Sequence, residues 1–299
     1  MSDRVIAITR SFQPNKTFET FEQDKFDQGL ATSVRQLLAT RPSELAGIIV
    51  VSCGDQSSSA KEQVINSGDK DKIATPTTAA VQRAFPDEVS SGFIQTIVCE
   101  DWGQNYGSAT ALNEGVSLAR SLGATHHLMW SAAEIRLTGH QLCEMIEHSY
   151  RFDLKLTGFA RNGWSERRQW LFVQNTIALW NDELLTSVNG FNRCCNGDGV
   201  TTVETKEFGA VPLAGMEDYH LYLRACILNG APIPWGFVGT RHPVKWDTSA
   251  KLPGSPEYER NVEKIARQAL VMDAYAQALF SDKHPIEVWR DVMSAVKIG

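Results

Sequence analysis

Apolar residues in the first half of the chain fall into short continuous runs. Patterns of helical period separate these runs at 24–39 and 108–122, and a further helical or loop region extends to about residue 85. Short apolar runs separated by helices are typical of a parallel sheet covered on both faces. The pattern therefore predicts an α/β, Rossmann-like fold. The predicted strands are 4–9, 46–52, 92–99 and 126–130.

The helix predicted over 108–122 has the clearest boundaries. Ser108 is a candidate N-cap residue, and Gly123 is suited to end the helix. Apolar residues recur between these ends every three to four positions, which predicts one buried face. They are Leu112, Val116, Ala119 and Leu122.

The second half of the chain predicts further strands and one more helix. The helix lies at 218–229, after a Gly- and Asn-rich loop at 189–199. We therefore expect a mixed sheet flanked by helices. The predicted strands are 154–163, 169–181 and 231–239.

The tail of the chain has a different pattern. Apolar residues from Val262 to Leu279 mark one face of a long helix, and 285–296 predicts a second helix. We expect one domain over 1–250, followed by a helical extension over 251–299. An exposed apolar stripe is a liability, so this extension should pack on the sheet or on a partner subunit of a homo-oligomer.

Composition and charge exclude several classes of protein. The 299 residues are 42% hydrophobic, carry a net charge of -6 and contain no Lys/Arg run, so we expect no nucleic-acid partner. No apolar stretch is long enough for a membrane span, and the N-terminal residues lack the pattern of a signal peptide, so we expect a cytoplasmic protein. The scattered cysteines show no CxxC spacing, which argues against structural zinc.

The segment NYGSATALNEGVSLA, residues 105–119, combines a turn with a helix start. Asn105 and Gly107 would form a tight turn that brings backbone N–H groups close to a diphosphate, and Asn113 lies in the helix that follows. Turn chemistry and helix capping alone also explain these residues.

A second segment, 187–230, places Gly190-Phe191 before the acidic pair Glu217-Asp218. Acidic residues in a first helical turn are stabilised by about 0.3–1 kcal/mol, so a helix start alone explains the pair. Its spacing from Gly190-Phe191, and the Leu223-Arg224 pair that follows, favour a functional role.

These two segments and the strand order of the first half resemble family-2-like GT-A glycosyltransferases. The resemblance covers roughly residues 4–245. It implies a GT-A fold, a nucleotide-sugar donor, a sugar or glycan acceptor and inverting transfer. It also implies that Asp218 takes the proton of the acceptor hydroxyl, while Glu217 tunes that base or holds the acceptor.

Ligands of open α/β sheets bind outside the carboxyl ends of the strands, so we expect the nucleotide at that edge. The candidate nucleotide-binding residues are Thr9, Arg10, Ser52, Asp55, Asn105, Gly107, Asn113, Ser131, Arg161 and Arg241.

The chain departs from the family where the resemblance implies a metal ion. The family commonly ends its second strand in an Asp-rich turn and its fourth in Asp-x-Asp; here these places read SCGDQSSS and SAAE. Alanine supplies no ligand oxygen, so Glu134, helped by His242, is the candidate Mn or Mg ligand, and we expect weak or absent metal dependence. Cationic side chains would instead neutralise the leaving diphosphate. They are Arg161, Arg241 and Lys245.

Two alternatives remain open at this point. A GT-A-like module could bind a nucleotide or glycan without turnover, in which case Asp218 and Glu134 need not share one cleft. Nucleotidyl transfer is also compatible with the α/β pattern, but it depends more directly on a carboxylate-bound metal, and the alanines count against it.

Overall fold

The computed structural model describes residues 4–11, 23–53, 76–99, 109–133, 135–159, 177–191, 202–205, 209–212, 217–238, 245–246 and 296–298. The chain divides into two compact units, Met1–Cys143 and Glu144–Gly299. The predicted domain boundary at residue 250 stays a prediction, because 247–295 lie outside the described residues.

A parallel sheet forms the centre of the first unit. Its strands pair in the order β3-β2-β1-β4, and every pairing is parallel. All five residues of β4 are buried, the polar His126 and His127 among them, as expected of a strand covered on both faces. The four predicted strands of the first half are thereby confirmed. The strands are β1 (Val5–Ser11), β2 (Leu45–Cys53), β3 (Ile94–Cys99) and β4 (His126–Trp130), followed by the short β5 (Ile135–Arg136).

Helices connect the strands of the first unit, and the two that the sequence predicts are confirmed. One of them, α4, ends as expected, because Gly123 adopts the left-handed conformation at φ +81° just after it. The helices are α1 (Gln23–Ala39), α2 (Pro76–Ala84), α3 (Pro86–Ser90), α4 (Ala109–Ser121) and α5 (Gly139–Arg151).

Helix α5 is absent from the sequence-based expectations, although its N-terminus carries a recognisable signal. The Thr138 N–H donates to Gln141 Oε1 at 2.9 Å, and the Gln141 N–H donates to Thr138 Oγ1 at 3.2 Å. This reciprocal pair is a capping box, and its Thr-x-x-Gln spacing is visible in the sequence.

The second unit contains a mixed sheet, as the sequence predicts. Its strands pair in the order β12-β10-β6-β7, with β6 and β7 antiparallel and the other two pairings parallel. An antiparallel hairpin, β8–β9, lies between the helices α6 and α7 along the chain. The elements are β6 (Leu156–Phe159), β7 (Ile177–Asn181), α6 (Asp182–Ser187), β8 (Thr202–Thr205), β9 (Gly209–Pro212), α7 (Glu217–Asn229), β10 (Trp235–Val238), β11 (Lys245–Trp246) and β12 (Val296–Ile298).

Aromatic side chains fill the core of the second unit. Tyr222 and Trp235 are fully buried and meet edge to face, with ring centroids 6.0 Å apart. The Tyr222 hydroxyl donates to the Ile233 carbonyl at 2.8 Å, which satisfies the buried hydroxyl. Trp180 packs in the same way on Phe191. Burial therefore accounts for Trp235 as a packing residue.

The end of the chain differs from its sequence-based expectation where it is described. Val296–Ile298 forms β12, which pairs in parallel with β10, so residue 296, the last of the helix predicted over 285–296, lies in a strand. The rest of that helix and the long helix predicted from Val262 to Leu279 lie outside the described residues and stay predictions. None of the helices in the described part combines the length and apolar composition that crossing a membrane requires.

Candidate functional site

The strand order of the first unit reverses its direction beside β1. The chain proceeds from β1 to β2 and β3 on one side, and β4 then pairs with the other side of β1. In open α/β sheets, such a switch point leaves a crevice outside the carboxyl ends of the two strands, where ligands bind. The candidate site is therefore the edge formed by the ends of β1 and β4.

A tight turn, Ser131–Ala133, follows β4 at this edge, and we call it the post-β4 turn. The Ile135 N–H donates to the Ser131 carbonyl at 2.9 Å, and Trp130 Nε1 donates to the Ile135 carbonyl at 2.9 Å. Ala132 is fully buried, and its N–H donates to Thr9 Oγ1 at 3.2 Å. The turn is thus closed on itself and joined to β1.

Helix α1 packs against the post-β4 turn at Gly29. A Cβ atom at this position would lie 3.0 Å from the Ala133 carbonyl oxygen, closer than side chains normally approach backbone. Farther along, the Gly139 N–H donates to Thr40 Oγ1 at 2.8 Å, and a Cβ on Gly139 would overlap the Thr40 carbonyl group. Gly29 of α1 and Thr40, the residue after α1, therefore contact the chain just before and just after β5.

The structure places the predicted nucleotide-binding residues in two environments. Thr9 and Ser52 are almost completely buried, and Ser52 Oγ donates to the Ile97 carbonyl at 3.3 Å, so protein groups already engage both hydroxyls. The other three described candidates, Arg10, Asn113 and Ser131, are partly exposed. Of these, Ser131 belongs to the post-β4 turn itself.

The remaining predicted site residues are described only in part or not at all. Helix α7 begins at Glu217, so Glu217 and Asp218 occupy its first turn, and only their backbone positions are described. Their proposed roles stay predictions. The predicted residues that lie outside the described part of the chain are Asp55, Asn105, Gly107, Glu134, Arg161, Arg241 and His242.

The side chains of the post-β4 turn do not fit a divalent cation. Together they supply one hydroxyl and two methyl groups, whereas Mn²⁺ and Mg²⁺ sites use carboxylate oxygens. Elsewhere in the described ranges, no group of three or more His, Cys, Asp or Glu residues is placed to hold a metal. Glu134 and His242 stay predictions, and we derive no step through a metal.

Sequence reasoning missed Gly29 and Thr40 as residues that support this site. The available signal was Gly29 itself. A glycine inside an amphipathic helix destabilises the helix by about 1 kcal/mol relative to alanine, so its presence suggests close packing at that position. The reason is the backbone of Ala133, which only the folded structure brings close to it.

Comparison with known proteins finds likeness at the level of solved structures. No family model matches the chain, and no curated protein matches it. A mannosyltransferase from Pyrobaculum calidifontis, solved in complex with GDP-Man and Mn²⁺, matches over 76% of this chain and 53% of its own, with 14% identity and a TM-score of 0.45. The chain spans about half the length of that mannosyltransferase.

Two further solved structures represent two kinds of enzyme. Glucosyl-3-phosphoglycerate synthase from Mycobacterium tuberculosis, in complex with Mn²⁺, UDP-glucose and phosphoglyceric acid, matches over 62% of this chain and 59% of its own, with 11% identity and a TM-score of 0.37. The 4-diphosphocytidyl-2C-methyl-D-erythritol synthase from Anaerococcus prevotii matches over 62% of this chain and 74% of its own, also with 11% identity and a TM-score of 0.37. The structures similar to this chain thus include glycosyltransferases and a cytidyl-transferring enzyme.

Proposed function

We propose that this protein transfers a sugar from a nucleotide-sugar donor to an acceptor hydroxyl, with the nucleotide bound at the carboxyl ends of β1, β2 and β4. The observation that carries the proposal is the switch in strand order between β1 and β4, with the post-β4 turn held to Thr9 at that edge of the sheet. Ligands of open α/β sheets bind at such switch points, and the resemblance to GT-A glycosyltransferases implies donor binding there.

The proposed reaction is a single in-line displacement. The acceptor oxygen attacks the anomeric carbon as the bond from that carbon to the diphosphate breaks, and Asp218 takes the acceptor proton. Glu217 and Asp218 occupy the first turn of α7, so the backbone of that helix fixes their place in the chain. The leaving diphosphate carries away the bonding electron pair, and Arg161, Arg241 and Lys245 neutralise its charge.

One observation favours a second candidate function, a module that binds a nucleotide or glycan without turnover. Alanine occupies two positions of the post-β4 turn, and Ala132 is buried, so this turn retains its shape without carboxylates. A binding module needs the crevice but not the base. Asp218 is therefore the residue that separates the two functions.

The test replaces Asp218 and compares donor binding with sugar transfer. Asp218→Asn should bind a nucleotide sugar like the wild type, while transfer falls by about 10²–10⁴-fold, because only proton removal is lost. Binding is measured by thermal shift over a panel of nucleotide sugars, with and without Mn²⁺ or chelator, and transfer by release of the nucleoside diphosphate. We expect the chelator to have little effect on either measurement.

Asp182→Asn is the matched control, because Asp182 also lies in the first turn of a helix, α6, within the same unit. It should leave binding and transfer unchanged. Equal turnover by Asp218→Asn and the wild type would contradict the assigned base. Donor binding without turnover by the wild type, over a broad acceptor panel, would instead support the binding module.

A further inference from the structure

We propose that Thr9 and Gly29 are positioning residues that hold the post-β4 turn so that the Ser131 hydroxyl binds a nucleoside diphosphate. The identity of this ligand rests on the proposed function. The positioning itself rests on contacts within the first unit, between β1, α1 and the turn.

Thr9 holds the turn from the sheet. Its side chain is 1% exposed and accepts a hydrogen bond from the Ala132 N–H, which is itself buried. A buried N–H group without an acceptor is destabilising, so this hydrogen bond stabilises the turn in its observed position. Thr9 thus acts through the turn, although its place at the end of β1 first identified it as a ligand-contacting residue.

Gly29 holds the turn from the helical layer. Its hydrogen in place of a side chain lets α1 approach the Ala133 carbonyl closely enough that any Cβ would crowd the oxygen at 3.0 Å. The second fastening, from Gly139 to Thr40, keeps α1 beside the same segment. The turn therefore lies between two fixed elements, one of them a strand and the other a helix.

Ser131 is the residue of the turn that is left to contact a ligand. Its side chain is partly exposed, whereas that of Ala132 is fully buried. Its backbone carbonyl accepts from the Ile135 N–H, but its hydroxyl makes no hydrogen bond to the residues that the structure describes. A hydroxyl at the carboxyl edge can donate to a diphosphate or ribose oxygen.

The first test removes only the acceptor on Thr9. Thr9→Val keeps the shape but leaves the Ala132 N–H unpaired, whereas Thr9→Ser keeps the oxygen. If the turn then occupies its binding conformation about one-tenth of the time, the Kd for a nucleoside diphosphate rises about tenfold. We expect that loss in Thr9→Val and recovery to within about threefold of the wild type in Thr9→Ser.

The second test separates positioning from stability. Gly29→Ala gains helix propensity, which offsets the cost of displacing Ala133, so the melting temperature should change little, while the displaced turn weakens diphosphate binding about tenfold. Thr32→Ala is the matched control, because Thr32 is an exposed residue of the same helix. It should also raise helix propensity, but with no change in binding. Equal affinity of the wild type and Gly29→Ala would overturn the role of Gly29.

Hydrogen exchange of the free protein keeps this proposal distinct from the proposed function. Exchange of the Ala132 amide should be faster in Thr9→Val than in the wild type and slow again in Thr9→Ser, with no ligand present. If the wild type binds UDP, GDP and CDP but Thr9→Val and Ser131→Ala bind them equally well, the positioning proposal fails alone. If the wild type binds none of these nucleotides, the assignment of the ligand is wrong. If exchange of the Ala132 amide is the same in Thr9→Val as in the wild type, the positioning role of Thr9 is wrong as well.

Discussion

Cys226 illustrates how the environment of one residue sets its chemistry. Burial in the core of the second unit raises the pKa of its thiol, and hydrogen bonds to the Ile233 backbone and to the Tyr222 side chain oppose that effect only in part. The folded protein therefore binds the thiol proton more tightly than the unfolded chain does. The thiol's contribution to the free energy of unfolding is complete below its ordinary pKa and is lost as the pH rises through its raised pKa in the folded protein.

We predict that this thiol weakens the protein at alkaline pH. In the range just above its ordinary pKa of 9.0, the unfolded chain has lost the proton and the folded protein has not, so the free energy of unfolding falls. The loss is at most about 1.4 kcal/mol per pH unit. Urea unfolding of the wild type and Cys226→Ala between pH 7 and pH 10 measures it. Parallel curves for the two proteins over this whole range would contradict the prediction.

At the residue scale, the sequence predicts where a side chain lies more reliably than what it contacts. Thr9 and Ser52 follow apolar runs, so their place at the carboxyl ends of strands is readable from the pattern. Their hydroxyls are instead engaged by Ala132 and Ile97, residues far away in the chain. Such partners depend on tertiary packing, which one-dimensional periodicity does not contain.

At the scale of elements, Gly115 determines how closely α4 approaches the sheet. A Cβ at this position would lie 2.6 Å from Ile8 Cγ2 and 3.3 Å from Val51 Cγ2, so β1 and β2 both limit the space. The glycine therefore belongs to the packing of the crossover between β3 and β4. Its presence in a motif that resembles a nucleotide-binding family has a structural explanation as well.

We predict that Gly115→Ala destabilises the first unit. Crowding of two core side chains should cost about 1–3 kcal/mol, despite the gain in helix propensity. Chemical denaturation measures the change, and Ser117→Ala, at an exposed position of the same helix, should stay within about 0.5 kcal/mol of the wild type. A Gly115→Ala protein as stable as the wild type would show that α4 can shift away from the sheet without cost.

The elements within long apolar runs were predictable, and those with few apolar residues were not. Long apolar runs and one well-bounded helix identified β1 to β4 and α4, because burial on both faces leaves a continuous signal. The two-residue β5 has too few residues for a period to appear, and β8, with the sequence TVET, has only one apolar residue. Helix α5 was missed although it carries two signals, the Thr138–Gln141 capping box and the buried apolar residues Leu142, Met145 and Ile146 at helical spacing.

At the scale of the whole molecule, the chain folds as two compact units, and the proposed donor site belongs to the first. The α/β class and the mixed sheet were predictable from the alternation of strands and helices. The order of the strands within the sheet was not readable from periodicity. The position of β4 beside β1 depends on the connection from β3 to β4, which crosses back over β2 and β1. That crossover creates the switch point between β1 and β4 on which the functional proposal depends.

Hydrogen–deuterium exchange of the full chain with and without nucleotide sugars tests the central claim most directly. We predict that at least one UDP-, GDP- or CDP-linked sugar binds and slows exchange in peptides that contain the post-β4 turn and the ends of β1 and β2. The same ligand should give less protection there in Thr9→Val. Protection confined to residues 144–299, or no binding by any of these sugars, would contradict the account.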